Sequence, residues 1–205
     1  MLKSRWTKAG LFALSLLPLG LLVWRGFHDE LGANPLEFIT HSTGDWTLRF
    51  LLLSLAITPL RRLARLPDLI RFRRMLGLFA FFYGALHLLT YLWFDQFFDF
   101  AAIVKDVAKR PFITMGMLAF AVIVPLAATS TAGMIRRLGG KNWQRLHRLV
   151  YVAALAGVVH YYWLVKSDVR RPVMYAGITL VLLAARIPWR KRRGILASDE
   201  NVARA

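Results

Sequence analysis

The stretch WQRLHRLVYVAALAGVVHYYW (143–163) decides how this chain is read. Two histidines, His147 and His160, stand thirteen residues apart among Leu, Val, Ala, Tyr and Trp. The segment therefore reads as a membrane-crossing helix that carries two ionisable rings. The rest of the chain agrees with a crossing. Of its 205 residues 57% are hydrophobic, yet the formal charge is +17. Soluble globules and disordered tails do not combine these properties. Arg and Lys gather in short connections between apolar runs of about twenty residues, the arrangement of a polytopic membrane protein. A nucleic-acid binder would instead align its arginines along one face. Cysteine is absent, which excludes disulfides, thiolate zinc sites, iron–sulfur clusters and cysteine nucleophiles. Any bound metal must be held by nitrogen, oxygen or methionine sulfur.

Candidate spans cover about 9–24, 46–63, 75–94, 112–129, 147–165 and 173–189. The first follows Lys3, Arg5 and Lys8 as a signal peptide would, but no small-residue cleavage site precedes Trp24 and Arg25, so it is expected to be a retained helix. Thr58-Pro59 is expected to close the second span, because proline lacks an N–H and clashes with the preceding turn. Positively charged loops stay on the cytoplasmic side. Lys3, Arg5 and Lys8, then Arg61, Arg62, Arg65, Arg71, Arg73 and Arg74, then Arg136, Arg137, Lys141 and Arg145, and finally Arg190, Lys191, Arg192 and Arg193 occupy alternate connections. The intervening ones hold Asp29, Glu30, Glu37 and Asp45, then Asp95, Asp99 and Asp106; Lys166, Arg170 and Arg171 weaken the pattern without reversing it. The expected fold is an all-α membrane protein, a bundle of six transmembrane helices with both termini cytoplasmic, forming one domain over 1–205.

Ionisable residues inside a span are costly, so the histidines are candidate site residues. His28 and His41 fall in the first outer loop and read as solvated. The third and fifth spans both run outward. His87, twelve residues past Met75, lies roughly 18 Å along its helix; His160, thirteen residues past His147 at the cytoplasmic mouth, lies about 20 Å further out. His87 and His160 should share a depth. Two imidazoles at one level on different helices, with no Asp or Glu clearly inside the spans, suit bis-axial ligation of an iron porphyrin. His147 lies about 140° from His160 around an ideal helix, and the two share a face only if the helix deforms, for which Gly157 offers a place. The residue at matching depth on the third span is near Arg74. His147 thus stands either as a ligand of a second site or as an interfacial structural residue. Trp46, Trp93, Trp143, Tyr161, Tyr162 and Trp163 read mostly as an interfacial aromatic belt. LGGKN (138–142) reads as a turn.

RRMLGLFAFFYGALHLLTYLWFD (73–95), LRFLLLSLAITPLRRL (48–63) and TSTAGMIRRLGGKNWQRLHRLVYVAALAGVVHYYWLVK (129–166) closely resemble the MsrQ (YedZ) family, haem-binding membrane subunits within the ferric reductase-like transmembrane group. The resemblance extends from about residue 14 to 186 in motif order, spacing and arginine-rich turns. It implies b-type haem and bound FMN. It further implies transfer of electrons from the quinone pool or a cytoplasmic flavin reductase to MsrP, a periplasmic molybdopterin enzyme that repairs methionine sulfoxide in proteins. The implied place is the bacterial inner membrane, in complex with MsrP and surrounded by lipid, as a non-catalytic electron-transfer subunit with no nucleic-acid partner. Wider relatives, the NADPH oxidases among them, stack two haems between their third and fifth spans with a histidine pair on each. This chain has His147 and His160 on the fifth but only His87 on the third. Nothing beyond Arg193 would fold into a nucleotide-binding reductase domain, so electrons are expected from a separate donor. The basic segments 61–74 and 136–148 are candidate contacts for flavin phosphate, although no phosphate-loop motif marks either.

Two rival readings remain at the level of sequence. A small histidine-dependent ion transporter would call for intramembrane acids or broken helices around a cavity. A direct ferric reductase would share the fold and haem and differ only in the acceptor.

Overall fold

The computed structural model describes residues 4–186. The described residues are helical throughout their ordered elements: α1 (Arg5–Phe27), α2 (Pro35–Leu63), α3 (Ile70–Thr90), α4 (Phe100–Lys109), α5 (Pro111–Ala128), α6 (Ala132–Leu138), α7 (Gly140–Leu146), α8 (Val150–Leu164) and α9 (Arg170–Ala184). Among the described residues three segments are long and apolar enough to cross a membrane: α1, α3 with the turns at its two ends, and α5. The end of the sixth expected span, Lys3 and the basic cluster 190–193 lie outside the described residues.

Contacts fix the directions of the long helices. Thr40 bonds Thr90 while Ser54 bonds the Arg73 carbonyl, so α2 and α3 are antiparallel. His160 reaches Phe112 while His147 reaches Ser130, so α5 and α8 are antiparallel as well. Phe12 packs on Phe79 and Leu19 bonds Tyr83, which sets α1 parallel to α3. Arg49 bonds Tyr175 and Arg186 bonds the Leu55 carbonyl, which sets α9 parallel to α2. The six helices α1, α2, α3, α5, α8 and α9 therefore alternate between two ends. The first described residues and the end of α9 share one end with the α2–α3 and α6–α7 connections. The core is Leu55, Phe72, Leu76, Phe79, Ala80 and Ala153 with their neighbours, whereas α1 and α9 present Leu14, Leu21, Leu180 and Val181 outward. Apolar side chains on both faces of a helix suit a lipid surround.

Several helix boundaries differ from expectation for identifiable reasons. α2 begins at Pro35, with the Asn34 side chain capping Glu37, so His41 sits on a helix rather than in a loop. Pro59 does not end α2, which continues to Leu63. Proline at 59 leaves the Leu55 carbonyl without its helical donor. Arg186, just past the end of α9, supplies one: Nη2 donates to the Leu55 carbonyl, Nη1 donates to Tyr151 Oη at 2.8 Å, and the guanidinium lies over the Tyr151 ring. A second insertion joins α1 to α3. The Tyr83 hydroxyl accepts from Leu19 N–H at 3.1 Å and donates to the Ser15 carbonyl at 2.9 Å, the two groups that an unbroken helix would pair with each other. The break between His147 and His160 lies at the 3₁₀ turn His147–Leu149, not at Gly157, which sits in regular helix and leaves room for a Cβ. Of LGGKN, expected to be a turn, only Gly139 lies outside a helix: Leu138 ends α6 and Gly140 begins α7, and the chain changes direction at Gly139 with φ +74°, a conformation that favours glycine.

The connection between α3 and α5 also holds a helix that the apolar pattern does not announce. α4 is capped by Asp99, whose side chain accepts from Ala101 and Ala102 N–H, and it buries Ile103 against the bundle. Asp106 ties it down, accepting from Tyr91 Oη at 3.1 Å and pairing with Arg110 at 2.8 Å.

Candidate haem site

A cavity of about 490 Å³ separates the α2–α3 hairpin from the α5–α8 pair. Its deeper walls are apolar, with Leu48, Leu51, Phe120, Ile123 and Ala153 among them, and its mouth is polar, with Arg110, Arg171 and Asp45. Both His87 and His160 face into it. Each stands about one turn from the mouth end of its helix, His87 three residues before Thr90 and His160 four before Leu164.

The two imidazoles have centroids 6.0 Å apart and planes inclined at 77°. Each uses its Nδ1 on a backbone carbonyl: His87 with Thr40 O at 2.9 Å, His160 with Phe112 O at 2.6 Å. A carbonyl only accepts, so each Nδ1 carries the proton and each Nε2 keeps its lone pair. That is the tautomer a metal-ligating histidine takes, with its other nitrogen oriented by an outer-shell acceptor. One metal bound to both Nε2 atoms at about 2 Å, each ring centre about 1 Å behind its nitrogen, would set the centroids roughly 6 Å apart. The observed 6.0 Å matches this. The residues therefore fit a planar iron porphyrin: two available nitrogens, apolar walls for the macrocycle, and two arginines at the mouth suited to its carboxylates. Among the described residues no cluster of three or more His, Asp or Glu side chains could hold a bare metal ion.

His147 is placed elsewhere. Its ring stacks on Trp143 at 3.8 Å, Nδ1 donates to the Trp143 carbonyl at 3.1 Å, and Nε2 lies 3.4 Å from Ser130 Oγ. It does not line the cavity and stands at the basic end of the bundle. His28 stacks on Trp24, and His41 is exposed at the cavity mouth. The aromatic belt is divided: Trp93, Tyr162 and Trp163 are half exposed, while Trp46 packs inward on Phe50 and Tyr83, and Trp143 donates Nε1–H to the Thr129 carbonyl.

Sequence reasoning missed Thr40, Phe112, Gly44 and Gly116. A Cβ at Gly44 would meet the His87 ring at 3.1 Å, and one at Gly116 would meet His160 Nδ1 at 2.8 Å. A glycine inside a helical pattern signals close approach, but it does not say what approaches.

The family described as "Ferric reductase like transmembrane component" matches residues 9–158. The chain belongs to this family, within its MsrQ branch. It is 58% identical over 184 residues to the protein-methionine-sulfoxide reductase heme-binding subunit MsrQ of Herminiimonas arsenicoxydans, covering 89% of this chain and 84% of that one. The similarly described protein of Ralstonia nicotianae is 53% identical over 187 residues, with 90% and 86% covered. That of Caulobacter vibrioides is 52% identical over 176 residues, with 86% and 83% covered. Membership of a transmembrane family accords with the long apolar helices of this MsrQ-branch chain.

Proposed function

We propose that this chain is the haem b-binding electron-transfer subunit of a protein-methionine-sulfoxide reductase system in the bacterial inner membrane. In this reading α1, α2, α3, α5, α8 and α9 cross the bilayer and both termini are cytoplasmic. Its similarity to proteins named as heme-binding subunits of that system supports the reading. The observation that carries it is the facing pair His87 and His160, each with Nδ1 engaged on a carbonyl and Nε2 available. When bound, haem supplies one-electron chemistry by cycling its iron between two oxidation states.

The protein's own part is to bind and insulate. His87 and His160 would hold the iron from two helices; Thr40 and Phe112 carbonyls keep the Nδ1 protons in place; the apolar wall excludes water and lowers the local dielectric. Arg110 and Arg171 offer cationic partners to the carboxylates of the macrocycle. The cavity opens at the end opposite the arginine-rich connections, which suits delivery to a periplasmic acceptor, MsrP, under the positive-inside rule. Electrons would enter at the basic end from the quinone pool or a cytoplasmic flavin reductase. The segments 61–74 and 136–148 are the basic connections of that end and would hold FMN phosphate there, and His147 would serve a second redox group.

Purified protein carrying His87→Ala or His160→Ala should lose the low-spin, bis-imidazole haem spectrum, whereas His28→Ala should keep it. Unchanged haem content and spectrum in either cavity variant would refute the ligand assignment. A wild-type protein without a reducible Soret and α-band would refute the cytochrome reading itself.

A further inference from the structure

The two histidines are seated in the same way, and the seat rests on residues that do no ligation. In each case the carbonyl that accepts from Nδ1 lies four residues before a glycine in the same helix: Thr40 before Gly44 in α2, Phe112 before Gly116 in α5. In an α-helix the N–H of residue i bonds the carbonyl of residue i−4, so each accepting carbonyl already serves the backbone of its glycine. A carbonyl oxygen has a second lone pair for the imidazole, which at Thr40 is shared with the Thr43 hydroxyl at 3.0 Å. Reaching it requires the ring to lie against the helix surface where the side chain at i+4 would normally stand. A Cβ on Gly116 would lie 2.8 Å from His160 Nδ1 and 3.0 Å from its Cε1; a Cβ on Gly44 would lie 3.1 Å from the same two atoms of His87.

The arrangement recurs across the cavity. His87 follows its glycine by 43 residues and His160 by 44, and each pair spans two antiparallel, closely packed helices. The α2–α3 hairpin and the α5–α8 pair thus repeat one device. Other helical glycines lack it: at Gly77 an added Cβ meets only Ser54 Oγ, at 3.5 Å, and at Gly157 only Leu48 Cδ1, at 3.7 Å.

We propose that Gly44 and Gly116 are positioning residues for the axial histidines, each opening the helix surface so that a backbone carbonyl four residues earlier fixes the tautomer and azimuth of the imidazole. This rests on the haem-binding reading above. The carbonyl bond holds the proton on Nδ1, leaves Nε2 as the ligand and raises its basicity. The Gly116 seat is the tighter of the two, with the shorter hydrogen bond and the closer Cβ approach.

The test compares the wild-type chain with G44A, G116A and G77A, all purified in detergent. Readouts are haem affinity, the low-spin ferric electron paramagnetic resonance spectrum, and the haem midpoint potential. Disturbing such outer-shell partners costs about 10–100-fold in metal affinity. G116A should fall in that range with altered resonance positions and potential, G44A should fall less, and G77A should match wild type. A folded G116A protein with wild-type affinity, spectrum and potential overturns the proposal. If G116A does not yield folded protein, H160G supplied with free imidazole or N-methylimidazole decides the matter. Imidazole can still donate to the Phe112 carbonyl, and it should restore the low-spin spectrum at roughly tenfold lower concentration; equal restoration overturns the proposal. Absence of a bis-imidazole signal in the wild type would instead refute the haem reading on which the seats depend.

Discussion

Arg186 performs a structural task that a double-mutant cycle can isolate. Pro59 denies the Leu55 carbonyl its helical donor, and Leu55 is 1% exposed, so water cannot replace it. Arg186 Nη2 fills the gap, while Nη1 and the cation–π contact bind Tyr151 of α8. A hydrogen bond from a charged donor contributes about 1.5–3 kcal/mol. An exposed cation–π contact adds about 0.5–1 kcal/mol. Arg186→Ala removes two such hydrogen bonds, to Leu55 and to Tyr151, together with the ring contact, and should therefore destabilise the bundle by roughly 3.5–7 kcal/mol. Pro59→Ala restores an N–H that can bond Leu55 internally. In that background Arg186→Ala should cost about 1–2 kcal/mol less, because the carbonyl no longer depends on the guanidinium. The assay is reversible unfolding in mixed detergent micelles followed by far-ultraviolet circular dichroism. An equal cost for Arg186→Ala in both backgrounds would refute the inference that Arg186 replaces the donor removed by proline.

Two other substitutions test separate parts of the structure. Tyr83→Phe removes a hydroxyl set between Leu19 N–H and the Ser15 carbonyl; α1 can close its own ladder, so the loss should be modest, about 1 kcal/mol, read as lowered resistance to the same unfolding. A Tyr83→Phe protein as stable as wild type would show that the insertion contributes nothing to docking α1. His147→Ala should leave the spectrum of the His87–His160 haem in place, since its ring stacks on Trp143 outside the cavity; loss of that spectrum would refute the separation of the two sites.

That His87 and His160 stand at one level is legible in the amino-acid sequence. Helical rise along α3 and α8 puts His87 and His160 at one level, and the arginine-rich connections gather at the opposite end, because both depend on distances along the chain. Helical phase also separates His147 from His160. It suggests Gly157 as the place of any deformation, whereas the chain departs from regular helix at His147–Leu149. Periodicity does not foresee a 3₁₀ turn that forms where His147 bonds back to the Trp143 carbonyl. The apolar pattern of α2 starts later than its backbone helix, which Asn34 and Pro35 initiate, and so the pattern leaves His41 in a loop that the structure does not have.

By itself the sequence determined which residue types were available, at what depth and on which helices: two imidazoles near one end, the arginine-rich connections at the other, and no thiol ligand. Only the tertiary structure decided how the imidazoles are held. The partners of Nδ1 are backbone carbonyls, which every residue possesses and no residue type announces. The glycines that admit the rings act through an absent Cβ, and its meaning depends on what another helix brings against it. The same holds at Pro59, where a predicted helix end is continuous helix because a guanidinium 127 positions later meets the freed carbonyl.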